Sequence, residues 1–364
     1  VTAVHQFVPA LLPRDATGDH TLALRDTLRD AGWESDIYVE AAHDDLWSEA
    51  IYFEGYPERA RPGDILLYQL STASTVAEFL LGRAEPLVLD YHNITPASFY
   101  DGWEEHTRDK VALAREQAAA LAQRAVLGIA DSAFNAAELE QMGCAKTAVV
   151  PIIVDTEHLS APADESERAR LAEAHGSSTV LLFVGRLSPN KSQHDLIEAL
   201  LLYRRWFDAG ARLHLVGPSV APSYARAVFA FAEELGLTGA VRHGEDLTPA
   251  QLSAWYADAD VFVCLSEHEG FCIPLLEAMA SRLPIVAFGA GAVPETLGGA
   301  GLVLDSKRPS VVAASVARVT QDPSLASALS EAGRRRLGAF SPASTRARFV
   351  EVLRTVESAR RVVV

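Results

Sequence analysis

The residues best suited to chemistry fall in one run that follows an apolar strand. Val261–Leu265 is the strand, Ser266-Glu267-His268-Glu269 is polar, Gly270 follows, and Pro274 opens a helix carrying Glu277. Proline is tolerated in a first helical turn because the N–H groups there have no intrahelical partner. The N–H groups near Gly270–Ile273 are therefore a ready anion site. Glu269 and Glu277 lie eight positions apart around it. Two carboxylates beside an anion site are costly unless they meet ligand hydroxyls, and the vicinal diols of a sugar or ribose suit them. The plain alternative is a helix-start carboxylate and a solvated helix-face residue.

A second run, Leu181–Ser192, is also a strand, a turn and a helix start. Gly185 and Arg186 follow the strand, and Lys191 stands at the helix entry. A cation there opposes the helix dipole by about 0.3–1 kcal/mol. A diphosphate would turn that penalty into an attraction, with Arg186 gripping it bidentately and Lys191 acting as a point charge. The alternative is a pair of solvated surface charges. His92 closes the strand Leu87–Tyr91, where it could bond a ligand hydroxyl or assist proton movement; a lone histidine is equally often hydrogen-bonded structure. Gly289-x-Gly291-x-x-Pro294 lacks the third glycine of a dinucleotide fingerprint. It reads as a plain turn or as a loop that lets backbone approach a ligand. Thr248-Pro249-Ala250-Gln251 is a capping box.

These runs need rigid elements behind them. Short β-branched runs alternate with helical patterns along the chain of 364 residues, the signature of βαβ units and parallel sheets. Val180–Val184 is apolar throughout, as a strand covered on both faces should be. A polar stretch over 160–167 precedes a new strand-first unit, so the boundary is placed near 155–170. Two Rossmann-like halves would leave a cleft, with ligands outside the carboxyl ends of the strands.

Hydrophobic residues make up 49% and charged residues 22%, which excludes a disordered chain. No apolar run approaches the roughly 20 residues of a membrane helix. The net charge is −16, and residues 1–150 carry 11 Lys/Arg against 24 Asp/Glu. Such a half repels phosphate backbones and anionic lipid, which argues against nucleic-acid partners. Val1–Gln6 lacks the basic and apolar regions of a signal peptide. Cys144, Cys264 and Cys272 have no CxxC spacing and read as reduced, mostly buried thiols. The expected location is the cytoplasm.

The order of these motifs resembles the retaining GT-B glycosyltransferases of family 4. EGFCIPLLEAMA, spanning Glu269 to Ala280, is similar to that family's E-x7-E motif, and GRLSPNKS to its G-R-x-x-x-x-K segment. LVG at 215–217, PIIVD at the linker and GAVPE after the E-x7-E helix come in the family's order. The resemblance implies an α/β GT-B fold of two Rossmann-like domains facing across a cleft. Residues 1–160 would form the acceptor side, 161–340 the nucleotide-sugar side, and 341–364 a helix crossing back. The donor implied is a UDP- or GDP-sugar, with no metal or other cofactor. Arg186 and Lys191 would hold the diphosphate, Glu277 the ribose hydroxyls and Glu269 the sugar hydroxyls. The amides of Gly270, Phe271 and Cys272 would orient sugar and phosphate, with Gly185 in the same donor site. His92 would stand near the donor sugar. Where the family often has a glycine pair in the loop after its first strand, this chain's comparable loop offers Ala16-Thr17-Gly18-Asp19-His20, with Gly18 in the donor-binding role. The reaction implied is metal-independent front-face transfer of a hexose to a hydroxyl acceptor that is not strongly anionic. The competing readings are a GT-B sugar-nucleotide epimerase, a twin-Rossmann dehydrogenase and an inactive binding module.

Overall fold

The computed structural model describes residues 3–13, 15–154 and 162–361. Part of the expected domain boundary, 155–161, lies outside the described residues. The chain divides into two compact units. The first comprises Val1–Ala97, Arg108–Val154 and Phe340–Val364; the second comprises Ser98–Thr107 and Asp155–Ala339.

The first unit carries seven strands: β1 Val4–Leu11, β2 Ile37–Ala42, β3 Ile51–Tyr52, β4 Ile65–Leu70, β5 Leu87–Tyr91, β6 Leu127–Ala130 and β7 Thr147–Val149. Their order is β3-β2-β1-β4-β5-β6-β7, and every pairing is parallel. Alternation along β4 sends Leu66, Tyr68 and Leu70 into one core and Ile65 and Leu67 into the other. The second core is closed by the last helix, Pro342–Arg361, through Phe349, Val352, Leu353 and Val356.

The second unit has β8 Val180–Val184, β9 Arg212–Val216, β10 Val241–Gly244, β11 Val261–Cys264, β12 Ile285–Phe288 and β13 Leu302–Leu304. The order β10-β9-β8-β11-β12-β13 is again wholly parallel. Both units are thus parallel α/β sheets, as the alternating pattern predicts. Ser98–Thr107 packs with this second unit: Glu104 Oε1 accepts from Ser223 N at 2.7 Å and from Ser223 Oγ at 2.6 Å. That carboxylate serves the N-terminus of the helix Pro222–Glu234, where the Ala221 cap has no side chain to offer. Thr248 and Gln251 make both bonds of the capping box. Among the described residues no helix is long and apolar enough to cross a membrane.

One expected loop is a helix. Asp15 accepts from Gly18 N and caps a helix over Ala16–Asp30, so Ala16–His20 form its first turn and a half. Thr, Gly and Asp are poor helix formers, so here the cap decides.

Phe349 is fully buried in the first unit. Phe349→Ala should cost about 3–5 kcal/mol, read as a fall in the denaturation midpoint of that unit. An unchanged midpoint would show that the last helix contributes nothing to this core.

Candidate active site

The order of the second sheet reverses between β8 and β11. Open parallel sheets bind ligands outside the strand ends at such a point. Gly185 and Arg186 follow β8, and the run from Leu265 to Glu269 follows β11. Backbone closeness fixes the first turn: Gly185 N donates to Val216 O at 2.8 Å, and a Cβ on Gly217 would stand 2.4 Å from Gly185 O. Arg186 is exposed, and its carbonyl accepts from Gln193 Nε2 at 3.0 Å.

The two motif loops are stitched together. Glu267 N donates to Asn190 O at 2.8 Å, and Asn190 Nδ2 donates to His268 O at 3.2 Å. Ser188 Oγ orients Asn190 through its Oδ1 at 2.7 Å. Across this seam Lys191 Nζ meets Glu269 Oε1 at 2.6 Å, with the side chains only 15% and 8% exposed. Burial works against the Lys191 charge, but Glu269 overcomes it and holds the ammonium above its usual pKa. Lys191 therefore does not stand unpaired against a helix dipole. It ends a 3-10 turn, Pro189–Lys191, and Ser192 separates it from the helix Gln193–Trp206.

Two helix starts lie beside the pair. Ser192 (φ 54°) caps Gln193–Trp206 and Cys272 (φ 69°) caps Ile273–Ala280; both are left-handed, and neither makes a side-chain cap bond. A left-handed non-glycine residue costs on the order of 1–2 kcal/mol, so packing must impose it. Phe271 and Cys272 are buried, and Thr296 Oγ1 donates to Phe271 O at 2.6 Å. Gly270 is buried in the same turn.

The glycine loop after β12 grips Glu269. Ala292 N donates to Glu269 O at 2.9 Å, and a Cβ on Gly291, which has φ +56°, would fall 2.4 Å from that oxygen. Its close approach is to the catalytic candidate itself. Glu277 accepts from the Tyr256 hydroxyl at 2.7 Å; burial, then Glu277, push that hydroxyl's pKa well up. Lys307, in the loop after β13, reaches Glu267 at 2.7 Å, Ser192 Oγ at 3.2 Å and Asp195. Tyr256, Asn190 and Lys307 were not among the residues singled out from sequence. The strand-end rule applied to β13 would have found Lys307.

Gly18 and His92 belong to the first unit. Gly18 packs against the Leu12 carbonyl in the first helical turn. His92 Nδ1 faces Asp131 Oδ2 at 3.2 Å, and Nε2 faces Gln69 Oε1 at 2.6 Å. A chain of amides fixes the protons. Thr21 O can only accept, so Gln6 donates to it through Nε2 at 2.9 Å. Gln6 Oε1 must then accept from Gln69 Nε2, at 2.9 Å, which turns Gln69 Oε1 toward His92. His92 Nε2 therefore carries a proton, and Nδ1 shares another with Asp131. Both ring nitrogens are engaged within the first unit, with the Nε2 proton given to Gln69. Burial opposes the ring's charge, but Asp131 and Asp90 raise the pKa from 6.5 to about 9. Nearby His20 accepts from Ile153 N at Nδ1, 3.0 Å, and so donates from Nε2 to Asp90 at 2.9 Å.

Residues 165–336 match the family model described as glycosyl transferases group 1. A D-inositol 3-phosphate glycosyltransferase of Geodermatophilus obscurus is 32% identical over 238 residues, 63% of this chain and 52% of that protein. A GDP-mannose-dependent alpha-(1-6)-phosphatidylinositol monomannoside mannosyltransferase of Mycolicibacterium smegmatis is 32% identical over 195 residues, 51% of this chain and 50% of that protein. The matched stretch thus spans about half the length of these curated relatives. The fold resembles that of HepE from Anabaena in complex with UDP, with a TM-score of 0.75 at 19% identity over 97% of this chain and 100% of that one. Sucrose-phosphate synthase from Thermosynechococcus elongatus gives 0.76 at 18% identity, covering 98% of this chain and 100% of that one. The architecture is accordingly that of the GT-B glycosyltransferases, and the sequence pattern of glycosyl transferases group 1 runs through the second unit.

Removing one partner of a buried ion pair strands the other. Lys191→Met or Glu269→Gln alone should each lower stability, by about 3–5 kcal/mol for the variant that leaves an uncompensated charge. The double variant should recover most of that loss in a denaturant titration; additive losses would refute the pairing. For His92 the folded pKa lies above the unfolded one. Its contribution is therefore fully present below about pH 6.5 and lost as pH rises through about 9. The melting temperature should fall over that window, and less so in Asp131→Asn. Equal slopes in the two proteins would contradict the assignment.

Proposed function

We propose that the chain is a retaining glycosyltransferase that moves a hexose from a nucleoside-diphosphate sugar to a hydroxyl acceptor. The observation that carries this reading is the buried Lys191–Glu269 pair, set at the switch point of the second sheet beside two helix starts without side-chain caps. Uncapped helix starts and a buried ammonium favour an anion. A carboxylate held in the same place favours the hydroxyls of a sugar. Diphosphate and sugar are joined in one donor. The names of similar proteins agree with a nucleotide-sugar donor: one relative is GDP-mannose-dependent and one solved neighbour is a complex with UDP.

In this reading Arg186 and Lys191 hold the diphosphate, and Glu277 holds the ribose hydroxyls. Glu269 holds the sugar hydroxyls. The amides of Gly270, Phe271 and Cys272 orient sugar and phosphate, with Gly185 leaving room for them. As the anomeric bond breaks, negative charge grows on the leaving phosphate, where the two cations and the helix starts stabilise it. That electrostatic supply lets the reaction run without a metal. The phosphate then takes the acceptor proton on the same face, so no protein nucleophile is required. The first unit is assigned to the acceptor side. Its acidic balance favours an acceptor of little negative charge.

The division of labour between the carboxylates has a kinetic signature. Glu277→Gln should weaken nucleotide-sugar affinity, because ribose contacts are equal in ground and transition states. Glu269→Gln should lower kcat more than affinity, because positive charge grows on the sugar beside it. Tyr256→Phe removes the hydroxyl that Glu277 accepts from and should change affinity rather than kcat. Steady-state kinetics with varied donor, together with direct nucleotide binding, separate the two. Identical patterns in both carboxylate variants would refute the assignment.

A further inference from the structure

The second unit contains a thiol pair that the reading above leaves unused. Cys264 ends β11 and Cys272 caps the helix Ile273–Ala280. Their sulfurs and a carboxylate oxygen of Glu269 all lie within 4.8 Å of one another, and all three residues are buried. We propose that Cys264, Cys272 and Glu269 form a binding site for one soft divalent cation, Zn2+ or Cd2+.

The geometry and the donor set both point this way. A Zn–S bond of about 2.3 Å sets neighbouring ligands of a tetrahedral ion roughly 3.8 Å apart, so the three donors need only a small closure. Two thiolates and one carboxylate select zinc-like ions over Mg2+ or Ca2+, which take oxygen ligands. Three protein ligands leave a fourth position for water. The positions are anchored independently. Cys264 is fixed by the β11–β12 ladder, where it pairs with Ala287. Cys272 is fixed by its left-handed cap, and Glu269 by Ala292 N on its carbonyl.

Charge balance also allows the ion in. Without it, Lys191 and Glu269 are a neutral pair. Binding releases two thiol protons to solvent and forms two metal–sulfur bonds. Two thiolates, the carboxylate and Lys191 then sum with the divalent ion to zero, so no uncompensated charge is buried. A carboxylate has two oxygens, and Glu269 can keep Lys191 on one while the ion takes the other. Cys144 lies in the first unit and has no part in the site. The site stands on side-chain geometry and shares Glu269 with the donor contact proposed above, so an ion and a sugar compete for that carboxylate.

The test is a titration of the reduced full-length chain with Cd2+, following the thiolate-to-cadmium charge-transfer absorption, with Zn2+ uptake by equilibrium dialysis alongside. The expected result is one equivalent bound with the band present. The band should be lost in Cys264→Ser and in Cys272→Ser and kept in Cys144→Ser. Glu269→Gln should keep the band but bind about tenfold or more weakly. A folded wild-type chain that shows no band, or a band unchanged in both serine variants, overturns the proposal. Should either serine variant fail to fold, the wild-type titration and Cys144→Ser still decide between the outcomes.

Discussion

The second unit is organised around one buried ion pair. Lys191 and Glu269 meet at 2.6 Å although 78 residues separate them in the chain. Each charge is tolerable in a buried setting only because of the other. The loops that carry them are accordingly tied on every side: to each other through Asn190, to the loop after β12 through Gly291 and Ala292, and to the loop after β13 through Lys307. Left-handed residues at Ser192 and Cys272 are the conformational cost of bringing both helix starts to the same strand ends. The structure thus concentrates charge, strain and helix starts without side-chain caps at one place, which is where a binding site is expected to be expensive.

The first unit shows the same logic in another form. Its buried Gln6, Gln69 and His92 are ordered by a directional chain of bonds that begins at a backbone carbonyl. One acceptor that cannot donate decides the orientation of two glutamines and the protonation of a histidine. The protonation of such a cluster is a property of the whole chain of bonds and not of the histidine alone.

Much of this was legible in the sequence, because strand and helix periodicity are local. β4, β5, β12 and β13 fall where the apolar runs end, and the Thr248–Gln251 capping box is a four-residue signal. Motif positions were legible for the same reason: strand, turn and helix start are contiguous. What was not legible is partnership. The sequence makes Lys191 a cation set against a helix dipole, and only the fold brings Glu269 to it. Gly291 looks like a loop for a ligand, and only the fold shows that it presses on Glu269. Ala16–His20 is a loop by the family resemblance, yet the Asp15 cap makes it a helix start. Tyr256 and Gln69 carry no motif at all and acquire roles only through the groups they touch.

The central claim is that the Lys191–Glu269 seam receives a nucleoside-diphosphate sugar. The most direct measurement is the electron density of the full chain crystallised with UDP-glucose or GDP-mannose. The expected result is a diphosphate within hydrogen-bond distance of Lys191 Nζ and of the backbone amides between Gly270 and Ile273, with the ribose hydroxyls on Glu277. A donor whose diphosphate lies away from these groups, with Lys191 and Glu269 still closed on each other and touching no ligand, would contradict it.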